Sequence, residues 1–131
     1  SILEIGPGTG NLTAALLEKK PKKIYVIEKD KNLALLLQRN FKDQITIFNE
    51  DVLKFKEDNL SEDKVIVFGN LPYNISTKIL ANWCLTNKIM FKKLILMFQK
   101  EVADRILANY NTKNYGRLSI FSSWKLKIKK I

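Results

Sequence analysis

The segment Gly69-Asn70-Leu71-Pro72-Tyr73-Asn74-Ile75-Ser76 places an amide, a proline and a tyrosine side by side directly after an apolar run. That combination suits the alkylation of an aryl amine. Such a nitrogen is a poor nucleophile because its lone pair is delocalised into the ring. Two acceptors that grip its two N–H bonds draw it toward tetrahedral geometry and aim the lone pair at an electrophilic methyl group. The side-chain oxygen of Asn70 and the backbone carbonyl of Leu71 are suitable acceptors. Pro72 stiffens the segment and confines Leu71 to extended backbone geometry. Tyr73 offers a flat face on which an extruded base stacks. Catalysis of this kind is positioning plus placed hydrogen bonds, with no general base, nucleophilic side chain or metal. The chain contains no histidine and one cysteine, Cys84, which excludes His-based triads and thiolate metal cages. The competing account is an ordinary turn, since Asn and Pro are common turn residues.

A second constellation bears on that choice. Gly6-Pro7-Gly8-Thr9-Gly10 follows the first apolar run and opens a helical pattern. Glycines there allow a tight turn and let backbone N–H groups approach a ligand closely. The dinucleotide fingerprint GxGxxG requires a third glycine at position 11, which is Asn11. The spacing is instead GxGxG, similar to the form in class I methyltransferases, where the loop wraps the methionine part of the cofactor. Glu28 lies 22 residues after Gly6, at the tip of the second run. A carboxylate in that place accepts hydrogen bonds from both ribose hydroxyls of an adenosine cofactor. Asp51, after the third run, is an acceptor for an adenine amino group, with Val52 packing on the ring. A capping or turn aspartate is the alternative there. Three such groups at successive strand ends define a crevice at the carboxyl edge of a sheet, where open α/β folds bind ligands.

The elements that must position these residues are legible as five apolar, mostly β-branched runs at 2–5, 24–27, 45–48, 65–68 and 94–98. Continuous rather than alternating runs indicate parallel strands buried on both faces. Helical patterns fall between them at 11–20, 32–40, 77–85 and 101–110, with another at 115–124, and 125–131 alternates like a strand. Strands alternating with helices give a βαβ series and a mostly parallel α/β sheet. At 131 residues, the chain is long enough for one domain with a hydrophobic core and too short for two.

Composition is that of an ordinary globular protein, with 46% hydrophobic and 27% charged residues. No apolar run approaches the roughly 20 residues of a membrane-spanning helix. A single cysteine allows no intrachain disulfide and points to a reducing compartment. The formal charge of +10 suits a polyanion such as RNA, although a lysine-rich composition produces the same excess. Trp83 and Trp124 are expected in core or interface packing, and Cys84 as a small buried hydrophobe. Lys19, Lys20, Lys22 and Lys23 suit a helix C-terminus.

Taken together, these motifs resemble the ribosomal RNA adenine N6,N6-dimethyltransferases that act on two adjacent adenosines near the 3′ end of small-subunit rRNA. The resemblance runs through 3–10, 26–30, 50–52, 69–76, Phe98-Gln99-Lys100-Glu101-Val102-Ala103-Asp104-Arg105 and Tyr115-Gly116-Arg117-Leu118-Ser119. It implies a Rossmann-like class I methyltransferase fold and S-adenosyl-L-methionine as cofactor. Cofactor contacts are implied at Gly6, Gly8, Gly10, Glu28, Asp51, Val52 and Asn70, and the target base at Asn70, Leu71, Pro72 and Tyr73. It further implies a cytoplasmic monomer that acts on a pre-assembled small ribosomal subunit, with neither metal nor membrane. The erythromycin-resistance methyltransferases, which modify a large-subunit adenine, share the Asn-x-Pro-Tyr loop. A non-catalytic nucleic-acid-binding relative and a nicotinamide-dependent oxidoreductase are the other readings, the last disfavoured by Asn11. The whole chain reads as one catalytic domain, 1–131, cut at both ends. The family's N-terminal cofactor-covering segment and its C-terminal helical domain are expected to lie outside it.

Overall fold

The computed structural model describes residues 1–56, 59, 60, 64–71, 73–85 and 91–131, with the backbone alone at 73 and 74. Pro72 and most of the acidic connection between Lys56 and Lys64 lie outside the described residues. Among the described residues five strands are formed: β1 (Ile2–Ile5), β2 (Ile24–Ile27), β3 (Thr46–Phe48), β4 (Val65–Asn70) and β5 (Phe91–Met97). They make one sheet in the order β3-β2-β1-β4-β5, every neighbouring pair parallel. The α-helices are α1 (Asn11–Glu18), α2 (Lys31–Phe41), α3 (Tyr73–Leu85), α4 (Lys100–Ile106) and α5 (Arg117–Lys125).

The chain divides into two compact units. The first comprises Ser1–Leu71 and Met90–Met97 and holds the whole sheet with α1 and α2. All four residues of β2 are buried, so both faces of the strand are covered, as its unbroken apolar sequence predicts. On one face Val26 joins Leu16 of α1, Leu37 of α2, Ile24 and Ile45 in the core. Elsewhere in the unit the Tyr25 ring stacks on Phe48 at 6.1 Å, and Phe48 meets Phe55 edge to face at 5.0 Å. Asp30 caps α2, its carboxylate accepting from the N–H groups of Asn32 at 2.7 Å and Leu33 at 3.0 Å.

The second unit, Pro72–Ile89 with Phe98–Ile131, holds α3, α4 and α5. A face of small polar residues joins α5 to the end of α4. Ser119 donates to the Arg105 carbonyl at 2.6 Å, and Ser122 reaches the Ile106 carbonyl at 3.5 Å. Those carbonyls belong to the last turn of α4, which has no intrahelical partners to offer them. Cys84 is buried, and that burial raises its thiol pKa, so it behaves as the expected inert hydrophobe.

Several boundaries differ from the sequence expectation. β5 begins at Phe91 rather than 94, because an irregularity at Lys92 interrupts the ladder and with it the apolar run. β4 continues through Gly69 and Asn70, so the last of these belongs to the strand rather than to a following turn. α3 starts at Tyr73 instead of Thr77. α4 ends at Ile106, well short of Tyr110, where Thr112 folds back on the Asn109 carbonyl and competes with helix continuation. Lys125–Ile131 forms no strand: Lys125 closes α5, and the remainder finds no ladder partner to satisfy its backbone. Trp124 is 69% exposed, contrary to a core position, with the Lys125 ammonium 4.8 Å from its ring centroid.

Candidate cofactor and target-amine site

Parallel pairing sets the strand ends in register. Ile5 of β1 is opposite Ile27 of β2 and Gly69 of β4, and Ile27 is opposite Phe48 of β3. The residues one step further on, Asn49, Glu28, Gly6 and Asn70, therefore occupy one transverse row at the carboxyl edge. The strand order reverses direction between β1 and β4, which is the switch point where α/β sheets open a crevice.

Gly6, Gly8 and Gly10 all have positive φ, at 64°, 59° and 92°. The loop turns tightly, with the Gly10 N–H donating to the Pro7 carbonyl at 3.0 Å, and Gly10 then caps α1. Gly10 is required twice over. A Cβ there would sit 2.5 Å from Phe41 Cε2 and 2.9 Å from Leu37 Cδ2, so α2 packs directly on the loop. At Gly8 a Cβ would meet nothing within 4 Å, which makes this the open side of the cradle.

Glu28 lies one residue past β2 and is nearly buried, at 7% exposure. Its Oε1 accepts from the Asp30 N–H at 2.8 Å and its Oε2 from the Gly8 N–H at 3.3 Å. The carboxylate is thus fixed against the glycine loop, with lone pairs remaining for further donors. Asp51 Oδ1 accepts from the Leu53 N–H at 3.0 Å and Oδ2 pairs with Lys29 at 3.0 Å. The Leu53 hydrogen bond first, and then Lys29, hold its carboxyl below the usual aspartate range. Both the capping and the acceptor readings of Asp51 are therefore compatible with its setting. Val52, beside it, is half-buried.

Asn70 ends β4 with an exposed side chain that makes no hydrogen bond among the described residues. Leu71 is buried, its side chain lying over Gly69, where a Cβ would come within 2.9 Å of it. Tyr73 opens α3, and Pro72 and the Tyr73 side chain lie outside the described residues. The structure thus brings Gly6, Gly8, Gly10, Glu28, Asp51, Val52, Asn70 and Leu71 to one edge of the sheet.

Three further residues hold this edge together and escape a reading of motifs alone. Glu4 and Thr13 are 1% and 0% exposed, and the Thr13 hydroxyl donates to Glu4 Oε2 at 2.7 Å. Burial raises the Glu4 pKa, and the Thr13 hydrogen bond partly offsets this. The available signal is an acid inside an otherwise apolar strand. Asn49 donates from Nδ2 to the Glu28 carbonyl at 2.8 Å and to the Lys29 carbonyl at 3.3 Å, pinning the β2 tip to β3.

A parallel sheet of this order with a glycine cradle and an acidic neighbour defines a Rossmann-like class I methyltransferase fold. The fold is similar to a dimethyladenosine transferase from Plasmodium falciparum, with a TM-score of 0.77 and 32% identity over 93% of this chain and 44% of that one. It is also similar to the 23S rRNA methyltransferase ErmE, with a TM-score of 0.74 and 26% identity over 93% of this chain and 48% of that one. The family model for ribosomal RNA adenine dimethylase matches residues 1–131, and the chain belongs to that family. A relative from Pelagibacter ubique (strain HTCC1062), "Ribosomal RNA small subunit methyltransferase A", is 60% identical over 99% of this chain and 50% of its own length. The chain spans about half the length of the curated relatives it matches. Among the described residues no helix is long and apolar enough to cross a membrane.

Proposed function

We propose that residues 1–131 are the cofactor-binding and catalytic part of an enzyme that dimethylates N6 of two adjacent adenosines near the 3′ end of small-subunit rRNA. In this reading it acts as a cytoplasmic monomer on a pre-assembled small subunit, using S-adenosyl-L-methionine. The carrying observation is the order of groups along the sheet edge. Asp51, Glu28, the glycine loop and Asn70 follow one another across β3, β2, β1 and β4. That is the order of adenine, ribose, methionine and target amine along a cofactor laid across the strand ends. Strands about 4.8 Å apart put the backbones at Glu28 and Asn70 roughly 10 Å from one another, on either side of the glycine loop.

The residues fit the cofactor. Gly8 leaves open space where any Cβ would project, and the Glu28 carboxylate keeps acceptor capacity for two hydroxyls. The cofactor supplies an electrophilic methyl group on a sulfonium. Asp51 accepts from the adenine amine while Val52 packs on the ring. Asn70 Oδ1 and the Leu71 carbonyl hold the two N–H bonds of the target adenine, and the in-line geometry they set is the catalytic contribution. Pro72 keeps Leu71 extended, and Tyr73 stacks on the extruded base. The proton released from the alkylated nitrogen needs no dedicated base, since the ammonium product is strongly acidic.

The test is methyl transfer by the full-length protein to unmethylated small and large ribosomal subunits, with nucleoside analysis. Dimethyladenosine in small-subunit rRNA is the expected product, and Asn70→Ala should lower kcat by roughly 10²–10³, the usual effect of removing one transition-state hydrogen bond. Wild-type turnover by Asn70→Ala would sink the mechanism. Product confined to the large subunit would transfer the chain to the activity named for ErmE.

A further inference from the structure

The connection between α4 and α5 ends in an aromatic feature that the catalytic reading leaves unused. Tyr110 is 77% exposed, yet its ring is held edge to face by Tyr115, with centroids 5.7 Å apart and planes at 87°. Two consecutive turns fix the backbone around it. Thr112 donates to the Asn109 carbonyl from both its N–H, at 3.2 Å, and its hydroxyl, at 2.7 Å. The Tyr115 N–H donates to the Thr112 carbonyl at 3.0 Å, and Asn111 takes a left-handed conformation at φ 63°. A lone exposed tyrosine is unremarkable, because apolar atoms make up much of any surface. A tyrosine braced by a second ring on a doubly hydrogen-bonded loop is preorganised, with most of its ring open to solvent.

Its surroundings select the partner. From Arg105 to Ile131 the chain carries seven basic residues and no acidic one, most of the net +10. Lys113 and Arg117 flank Tyr115 in sequence, are exposed, and pair with no carboxylate among the described residues. Asn109, Asn111 and Asn114 add exposed amides that both donate and accept. A fixed aromatic face with cations spaced around it is the arrangement that binds single-stranded nucleic acid, bases stacking on the ring while lysine and arginine follow the phosphates. A membrane surface would call for an apolar face of several residues.

We propose that the loop 107–116, together with the first residue of α5, is a contact site for unpaired RNA, with Tyr110 as a stacking platform and Lys113 and Arg117 as phosphate contacts. This rests on the reading of the chain as an RNA-modifying enzyme and adds a substrate-binding surface outside the sheet edge.

The experiment uses the full-length protein, a fluorescein-labelled single-stranded oligoadenylate, a duplex RNA of equal length, and small-subunit methyl transfer. Loss of one base stack predicts that Tyr110→Ala weakens oligoadenylate binding about tenfold, while Tyr110→Phe binds like wild type. KM for small subunits should rise by a similar factor, with kcat, cofactor affinity and duplex binding unchanged. Replacing Lys113 and Arg117 together by glutamine should reduce the slope of log K against log salt by about 1.4, the value for two phosphates on a single strand. Unchanged oligoadenylate affinity in Tyr110→Ala overturns the proposal while leaving the enzymatic reading intact. An equal loss on duplex and single strand overturns it in favour of a purely electrostatic surface. A wild-type protein that binds cofactor but no RNA overturns both this site and the RNA-modifying function.

Discussion

The hydroxyl of Thr13 donates to the carboxylate of Glu4 across 2.7 Å, with both residues fully buried. Glu4 lies in β1 and Thr13 in the first turn of α1, so the bond spans the base of the glycine loop and ties its two ends together. The loop owes its shape to this tie as well as to its glycines.

That pair sets a pH dependence. Burial raises the Glu4 pKa above the ordinary value of 4.5, so the folded chain holds this proton more tightly than the unfolded one. Its contribution to stability is fully present below that value and is lost as pH rises through the folded value. Glu4→Gln keeps an acceptor for Thr13 without the buried charge, so it should be more stable than wild type at neutral pH and show a flatter pH profile. Glu4→Ala strands the Thr13 hydroxyl and should cost about 1–3 kcal/mol. Urea denaturation at mildly acidic and mildly alkaline pH checks both, and an unchanged slope in Glu4→Gln would remove Glu4 from this role.

Two glycines of the same loop should respond differently to one methyl group. Gly10→Ala drives a Cβ to 2.5 Å from Phe41 at φ 92° and should cost about 2–4 kcal/mol. Gly8→Ala meets no neighbour and should cost only the backbone strain, about 1–2 kcal/mol, while filling the open cradle and abolishing cofactor binding. Thermal melts and calorimetry separate the two. Equal destabilisation would contradict the packing of α2 on Gly10.

Glu28→Ala removes the two ribose acceptors proposed here. Hydrogen bonds to a charged group contribute about 1.5–3 kcal/mol each, so S-adenosylmethionine affinity should fall at least tenfold. Calorimetry with the full-length protein measures this, and an unchanged affinity would take Glu28 out of the cofactor site.

Asp51 behaves oppositely to Glu4 with pH. The Leu53 N–H and Lys29 lower its pKa from 3.8, so its contribution to stability is present above that value and lost as pH falls through the folded one. Lys29 is 77% exposed, so the pair is screened and adds little to stability. Asp51→Asn should therefore melt close to wild type yet bind cofactor several-fold more weakly. A large fall in melting temperature would instead make Asp51 chiefly a structural cap.

What could be read from residues follows the range of the forces involved. Ile2–Ile5 and Ile24–Ile27 were legible to the residue because a strand covered on both faces is written as a short, mostly apolar run, Glu4 being the one polar member. The bulged start of β5 at Lys92 was hidden, since irregular pairing breaks the pattern without ending the strand. The start of α3 at Tyr73 was missed because Asn74 and Ser76 are weak helix formers in isolation. Glycine spacing, Glu28 and Asn70 were visible as local motifs. Glu4 and Asn49 were not, because their partners are distant in sequence and only the packed sheet brings them together.

The shared row of Gly6, Glu28, Asn49 and Asn70 also bears on how this chain can change over time. Each residue reaches the edge by counting along its own strand, so the connections at the opposite end of the sheet are free to lengthen or shorten without disturbing the rung. One residue inserted into or deleted from β1, β2 or β4 would move a single member off it and swap the faces of that strand. Changes in length are therefore tolerated better in the far loops than within β1, β2 or β4.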